Sequence, residues 1–470
     1  MSSPKSSLET ALKQYEKTKN QHLSDLKELV RIPSVSFDGF DPKNVQRSAE
    51  AVAALLKKRG LENVEIIKLA DDVHPYVYAD WLHAGPNAPT LLLYAHHDVQ
   101  PPGRMEIWKS APFEPVERDG RLYGRGTADD KAGVIVHSAA IASYLETAGK
   151  LPVNVKLVIE GEEEIGSTHL KEFLAKYKQK LKADVMVLTD TQNYDTGLPA
   201  LTVSLRGLVV FEVEVKAHER SMHSGMWGGP VADPVIALSR MIATMTDAEG
   251  RLTVPGIWDE VRPVTKEERA EMDRLPFTIQ EFRYQAGLLP STRLLPGKDG
   301  TVHPLLQMWR EPSLSVNAVE ASSRKAPANI INNSAWAQLG VRIVADMDPV
   351  RTARLVEEHL KRVAPWGVEV SVKTDIGGKA WGTRATGPVF DAAMRSLEKG
   401  YGKRPVLMGC GGTIPFVEPF SDALGGAPAI LIGVEDPYTQ AHSENESMPL
   451  ADFEAAVRSA IYFYDELGNR

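Results

Sequence analysis

Between about residue 60 and residue 190 the chain alternates short apolar runs with segments of helical period, and that alternation limits the architectures open to it. "VEIIKLA", "PYVYADWL", "VNVKLVIEG" and "ADVMVLTDT" read as strands, and "APTLLLYAH" as a strand buried on both faces. Among them, "DDKAGVIVHSAAIASYLETA" and "THLKEFLAKYKQKL" read as helices. Buried strands alternating with helices predict an α/β layered domain with a mixed, mostly parallel sheet. Two helices precede it: one over 6–31, with Leu8, Leu12, Leu23, Leu26 and Val30 on a common stripe, and one over 46–60, ending at Gly60.

After Gly207 the texture changes. "LVVFEVEVKAHE", "AWAQLGVRIVAD" and "VEVSVKTDI" alternate apolar with polar residues, as half-solvated antiparallel strands do. Helices are expected near 232–247 and over "DPVRTARLVEEHLKRVA". From Gly382 the first texture returns, with a helix at 388–401, the strand "APAILIGV" and a last helix at 449–467. The expected organisation is therefore one α/β domain built from 1–207 and 382–470, with an α+β domain inserted at 208–381. The stretch 250–325, rich in Pro, Gly and charge, reads as an elaborate loop region. A chain of 470 residues suits two or three domains at roughly 100–200 residues each.

Composition narrows the partners. The net charge of −8 opposes a phosphate backbone, and there is no basic run to override it, so nucleic acid is not expected. No stretch reaches the ~18 consecutive apolar residues of a membrane span, and the first twenty residues lack the apolar core of a signal peptide. The single cysteine, Cys410, rules out an internal disulfide and suits a reducing cytoplasm.

In open α/β sheets ligands gather at the carboxyl ends of the strands, and here the acids and imidazoles gather there too. One strand ends in His96-His97-Asp98, another runs into "EGEEEIGS", a third ends at Asp190, and a fourth is followed by "AHSENE"; "GRGTADDKAG" opens a helix in the same layer. Alternation along a strand points His96 and Asp98 one way and His97 the other. The triplet is either a polar strand end or a metal-binding imidazole with a carboxylate behind it to hold its tautomer. The acids of "EGEEEIGS" are either a solvated loop or a cluster whose mutual repulsion a divalent cation would offset. In the second case one acid can bind metal while its neighbour handles a proton.

Seven segments together resemble the M20 family of metallopeptidases: "AHHDVQP", "LYGRGTADDKAG", "EGEEEIGS", "LTDT", "MHSGMWGG", "ANIINNSAWAQLGVRIV" and "AHSENE". They occur in the family's order and span nearly the whole chain. The resemblance implies a catalytic domain of the zinc-dependent exopeptidase type with an inserted lid, or dimerisation, domain. It also implies two divalent metal ions, zinc with manganese or cobalt as alternatives. His96 and Asp190 would hold one ion, Glu164 and His442 the other, and Asp129 would bridge them, followed by a cis peptide to Asp130. Asp98 would orient His96, and Glu163 would be the general base and acid. From the lid, His223 would stabilise the oxyanion across a homodimer. Arg342 would grip the terminal carboxylate of a small peptide substrate, and Asn329, Gly411, Gly412 and Thr413 would line the pocket.

The long insert favours the dipeptidase branch, related to carnosine-cleaving enzymes; an N-acyl amino acid deacylase or a carboxypeptidase is the alternative, and a non-catalytic binding protein keeping the fold is a third possibility. One departure stands out. The dipeptidase branch commonly has an acid before the Gly-Gly turn, where this chain has Cys410, which is read as a small core cysteine rather than a nucleophile.

Overall fold

In the computed structural model, which describes residues 7–325, 327–412, 417–423 and 425–469, the apolar runs form strands and the periodic segments helices. The described residues fall into two compact units. One runs to Val203 and resumes over Arg384–Met408 and from residue 417; the other is Ser204–Thr383 with residues 409–412. The excursion at 409–412 lies within a stretch that sequence texture alone assigned wholly to the first unit.

In the first unit six neighbouring strands of the main sheet lie in the order Glu62–Ile67, Tyr76–Trp81, Asn154–Glu160, Thr90–His96, Val185–Thr189 and Ala429–Ile432. The last four are mutually parallel, and the first two pair antiparallel at the flank. Leu91, Leu92 and Leu93 are fully buried at the centre, each stabilising the fold by about 2 kcal/mol of transferred side chain. Helix Lys131–Ala148 lies against this strand and touches helices Ser7–Val30 and Leu450–Gly468. That sandwiching explains why every residue from Lys131 to Tyr144 is buried and why its sequence is apolar all round.

Register places the strand ends together. Tyr94 pairs with Leu188, so two residues further on His96 and Asp190 reach the same level of the sheet, while His96 itself pairs with Glu160. Asp130 locks the adjoining helix to that edge. Its carboxylate caps the helix by accepting from Gly133 N at 3.1 Å and also accepts from His96 N at 3.2 Å. The peptide between Asp129 and Asp130 is cis.

The second unit is a four-stranded antiparallel sheet in the order Ser313–Glu320, Ser334–Ile343, Gly207–Lys216, Glu369–Gly378. Helices Pro234–Ala243 and Pro349–Val363 pack on it, over a core that includes Val209, Phe211, Val213, Leu339 and Val341. The alternate residues of Gly207–Lys216 are less buried, as the period-2 pattern requires. The stretch read from sequence as loop is more regular than that. It holds helices Lys266–Asp273, Ile279–Gln285 and Pro304–Arg310 and the whole edge strand Ser313–Glu320. The first two are short but well capped: Thr265 and Glu268 form a reciprocal capping box, and Thr278 accepts from Glu281 N. With so few turns, neither develops the long apolar stripe by which helices are recognised.

Candidate metal centre

The first unit brings five of the sequence-predicted residues into two groups. His96, Asp129 and Asp190 each offer a ligand atom within 4.8 Å of the others, and so do Asp129, Glu164 and His442. Asp129 belongs to both, one oxygen facing each way. Its Oδ1 lies 3.0 Å from His96 Nε2 and its Oδ2 3.1 Å from His442 Nε2. Asp190 Oδ1 is 3.6 Å from His96 Nε2, and Glu164 Oε2 is 3.3 Å from His442 Nε2.

The proton positions follow from the partners. His96 Nδ1 is 3.0 Å from the backbone carbonyl of Asp98, which can only accept, so Nδ1 donates. In the neutral ring the Nε2 lone pair then faces the oxygens of Asp129 and Asp190, an arrangement that calls for a cation or a proton between them. Burial disfavours charge on His96, but Asp190, Asp129 and Asp98 outweigh it and hold its pKa well above the ordinary value. His97 faces away, with Nε2 against the carbonyl of Pro75, and burial lowers its pKa to about 4.

The acidic run sorts itself by partner. Glu160 accepts from the hydroxyls of Tyr94 and Tyr76, and Glu162 pairs with His169. Gly161, between them, has no room for a side chain: a Cβ there would meet Pro75 O at 2.5 Å. Only Glu163 and Glu164 turn to the centre, on the single turn Glu163–Ile165. Burial and the surrounding acids raise the pKa of both, and burial raises Asp190. Asp129 is held low despite its burial by His442 and His96. Glu163 Oε2 lies 3.9 Å from His96 Nε2 and stands outside both groups.

Divalent cations fit this donor set. Three carboxylates and two imidazoles converge, burial raises the pKa of two of those acids, Glu164 and Asp190, and Glu164 Oε1 is buried with no hydrogen-bond partner among the described residues. Mixed nitrogen and oxygen donors of this kind bind zinc, manganese or cobalt.

Asp98 lies beside the His96 ring, as its sequence reading has it, and has further partners. Its own carbonyl makes the shorter contact to the His96 ring, with the carboxylate at 3.4 Å. The carboxylate also accepts from Ser36 Oγ at 2.7 Å and from the backbone N–H groups of Glu163 and Glu164 at 3.2 and 3.1 Å. It therefore holds the turn that carries both glutamates. Sequence reading also passed over Gln100, whose amide donates to Glu164 Oε2 at 2.7 Å, and over Arg125 and Glu446, although both stand inside motifs it had picked out.

The remaining predicted residues, Thr413 apart, lie in the second unit. His223 is exposed; its Nδ1 accepts from Gly225 N, and its backbone pairs with Ile330, beside Asn329, whose carbonyl accepts from Ser224 N. Arg342 is half-buried, opposite Ser313 in the sheet; burial lowers its pKa and Cys410 opposes the shift. Gly411 and Gly412 form a turn held by Arg206, whose Nε donates to Gly411 O and whose backbone N–H donates to Gly412 O. Thr413 lies outside the described residues. Cys410 is half-buried rather than a core residue, because its thiol faces this turn and accepts from Gly412 N at 3.3 Å.

Known proteins agree with this architecture. The model of peptidase family M20/M25/M40 matches residues 92–465. The cysteinylglycine-S-conjugate dipeptidase of Corynebacterium striatum is 33% identical over 78% of this chain and 79% of its own. The Beta-Ala-His dipeptidase of Rattus norvegicus is 30% identical over 84% of this chain and 80% of its own. The crystal structure of human carnosine dipeptidase 1 superposes with a TM-score of 0.83 at 28% identity, covering 100% of both chains. A family match across four-fifths of the sequence, with both acid–imidazole groups in the matched region, leads to one conclusion: the chain belongs to peptidase family M20/M25/M40.

Proposed function

We propose that this chain is a metal-dependent dipeptidase that hydrolyses the amide bond of dipeptides or short peptides. One observation carries the reading: two acid–imidazole groups share Asp129, and Glu163 stands beside them without belonging to either. His96, Asp129 and Asp190 would hold one ion, and Asp129, Glu164 and His442 the other; zinc is the proposed metal, with manganese or cobalt as alternatives. Bound there, such ions would supply Lewis-acid charge to acidify a water and offset negative charge on the carbonyl oxygen. Glu163 would take the proton of the attacking water on its carboxylate and return it to the departing amine. Asp98 keeps Glu163 in place through the backbone of its turn. The dipeptidase names of the relatives support the substrate class.

In the same proposal the second unit supplies substrate contacts. Arg342 offers a planar guanidinium for the terminal carboxylate, and Asn329, Gly411, Gly412 and Thr413 line the pocket. His223 stabilises the oxyanion in the active site of a partner subunit, which makes the enzyme a homodimer through its inserted unit. Its exposure supports that assignment, since its ring is open to a second chain. The lone Cys410 supports a cytoplasmic location, and among the described residues no helix is long and apolar enough to cross a membrane.

A panel of dipeptides and N-acyl amino acids tests the substrate class. With zinc, turnover of dipeptides is expected to exceed that of the acyl compounds by at least about tenfold in kcat/KM, or ~1.4 kcal/mol in transition-state binding; turnover of the acyl compounds alone would establish the deacylase alternative. The dimer has a separate check. Inactive His223→Ala and inactive Glu163→Ala chains, mixed and allowed to exchange, are expected to regain roughly a quarter of wild-type activity, the share of intact sites that random C2 pairing creates. No recovery on proven exchange would place the histidine's action within its own chain or outside catalysis.

A further inference from the structure

We infer that Glu446 and Arg125 are positioning residues for the ion bound by Asp129, Glu164 and His442, an inference that rests on the two-ion reading above. His442 and Asp129 come from segments more than 300 residues apart, and His442 itself is 60% exposed at the side chain, with little packing to hold it. Four residues after it, Glu446 is fully buried, and both of its oxygens are committed to the segment leading into Asp129. Oε2 accepts from Arg125 Nη1 at 2.6 Å and Gly126 N at 3.0 Å; Oε1 accepts from Ala128 N at 3.0 Å and Asp129 N at 3.2 Å.

Arg125, 1% exposed, closes the link from the other side. Besides Glu446, its Nη2 donates to the carbonyl of Ser443, next to His442, and to that of Pro101. The residues between add outer fastenings: Glu444 accepts from Arg104, and Asn445 bonds Lys109 N and Ile107 O. His442 and Asn445 both have positive φ, so the backbone bends sharply to keep these contacts. A buried carboxylate accepting four hydrogen bonds, one from a guanidinium, is rigid and charge-assisted. It sets the spacing between Asp129 and His442. Glu164 reaches the same ion from an independent turn, and His96 and Asp190 approach theirs from strand ends that Glu446 does not touch. Loosening Glu446 should therefore be felt by one ion more than by the other.

The test is zinc binding by the metal-free full-length chain, measured by chelator competition, with thermal unfolding of the same metal-free samples. For Glu446→Gln the affinity of one zinc ion is expected to fall about 10- to 100-fold, the usual size of an outer-contact loss, while the other stays within about threefold. Arg354→Ala, which breaks only an exposed ion pair to Glu358 in the second unit, should leave both affinities within about threefold. If Glu446→Gln does not fold, Arg125→Lys takes its place: it keeps the charge but not the fork of donors, and the same one-ion loss is expected. Unchanged affinities in the variant, or equal loss of both ions in step with lower thermal stability, would overturn the inference and leave the pair a purely structural role. Absence of zinc binding by the wild-type chain would instead refute the two-ion reading beneath it.

Discussion

Glu163→Gln is expected to lower kcat by about 10³-fold, within the range a positioned acid–base group supplies, while the variant keeps both metal ions. The amide has the shape of the carboxylate and keeps an accepting oxygen, so the turn Glu163–Ile165 and its backbone bonds to Asp98 should persist. What the amide lacks is a site for the proton of the attacking water. Glu163 approaches His96 Nε2 no closer than 3.9 Å and is in neither ligand group, so its substitution should not release metal. Steady-state kinetics on a dipeptide, beside metal analysis of the same preparation, checks both halves. Near-normal turnover would remove Glu163 from catalysis, and loss of an ion would make it a ligand.

The second large effect is expected at Asp129. It is the only residue shared by the two groups, and each oxygen faces a different imidazole. Asp129→Ala removes a donor from each ion and takes from His96 and His442 the carboxylate oxygen nearest each ring. Metal content should fall below one ion per chain at zinc concentrations that load the wild type with two. Catalysis should fall by about 10³-fold or more, since metal charge contributes several kcal/mol to the barrier. His442→Ala, which touches one group only, should retain close to one ion. Comparable metal loss in the two variants would argue against a shared ligand.

The fold was readable where local period reports burial. The all-apolar Leu91–Leu93 run and the helix Lys131–Ala148 announce a sandwiched sheet and its covering helix, and the alternation in Gly207–Lys216 announces a sheet with one solvated face. The candidate ligands were readable because strand ends collect on one edge, and charged residues after apolar runs have few other reasons to be there. The rest depends on contacts between distant residues, which leave no local trace. Glu446 binds backbone about 320 residues upstream, and "AHSENE" does not say which of its acids turns inward. Strand alternation set Asp98 beside the His96 ring, where its carboxylate lies 3.4 Å from Nδ1, but no local pattern shows that the same carboxylate also holds the backbone of Glu163 and Glu164. The short helices Lys266–Asp273 and Ile279–Gln285 hide for a different reason: two turns cannot develop an amphipathic stripe, and the capping threonines are their main local sign.

Anomalous diffraction at the zinc edge, from crystals of the wild-type chain grown with zinc, tests the central claim most directly. Two peaks per chain are predicted, one within bonding distance of His96, Asp129 and Asp190 and one of Asp129, Glu164 and His442, with Glu163 bound to neither. A single peak, peaks away from these side chains, or none at saturating zinc would contradict the account.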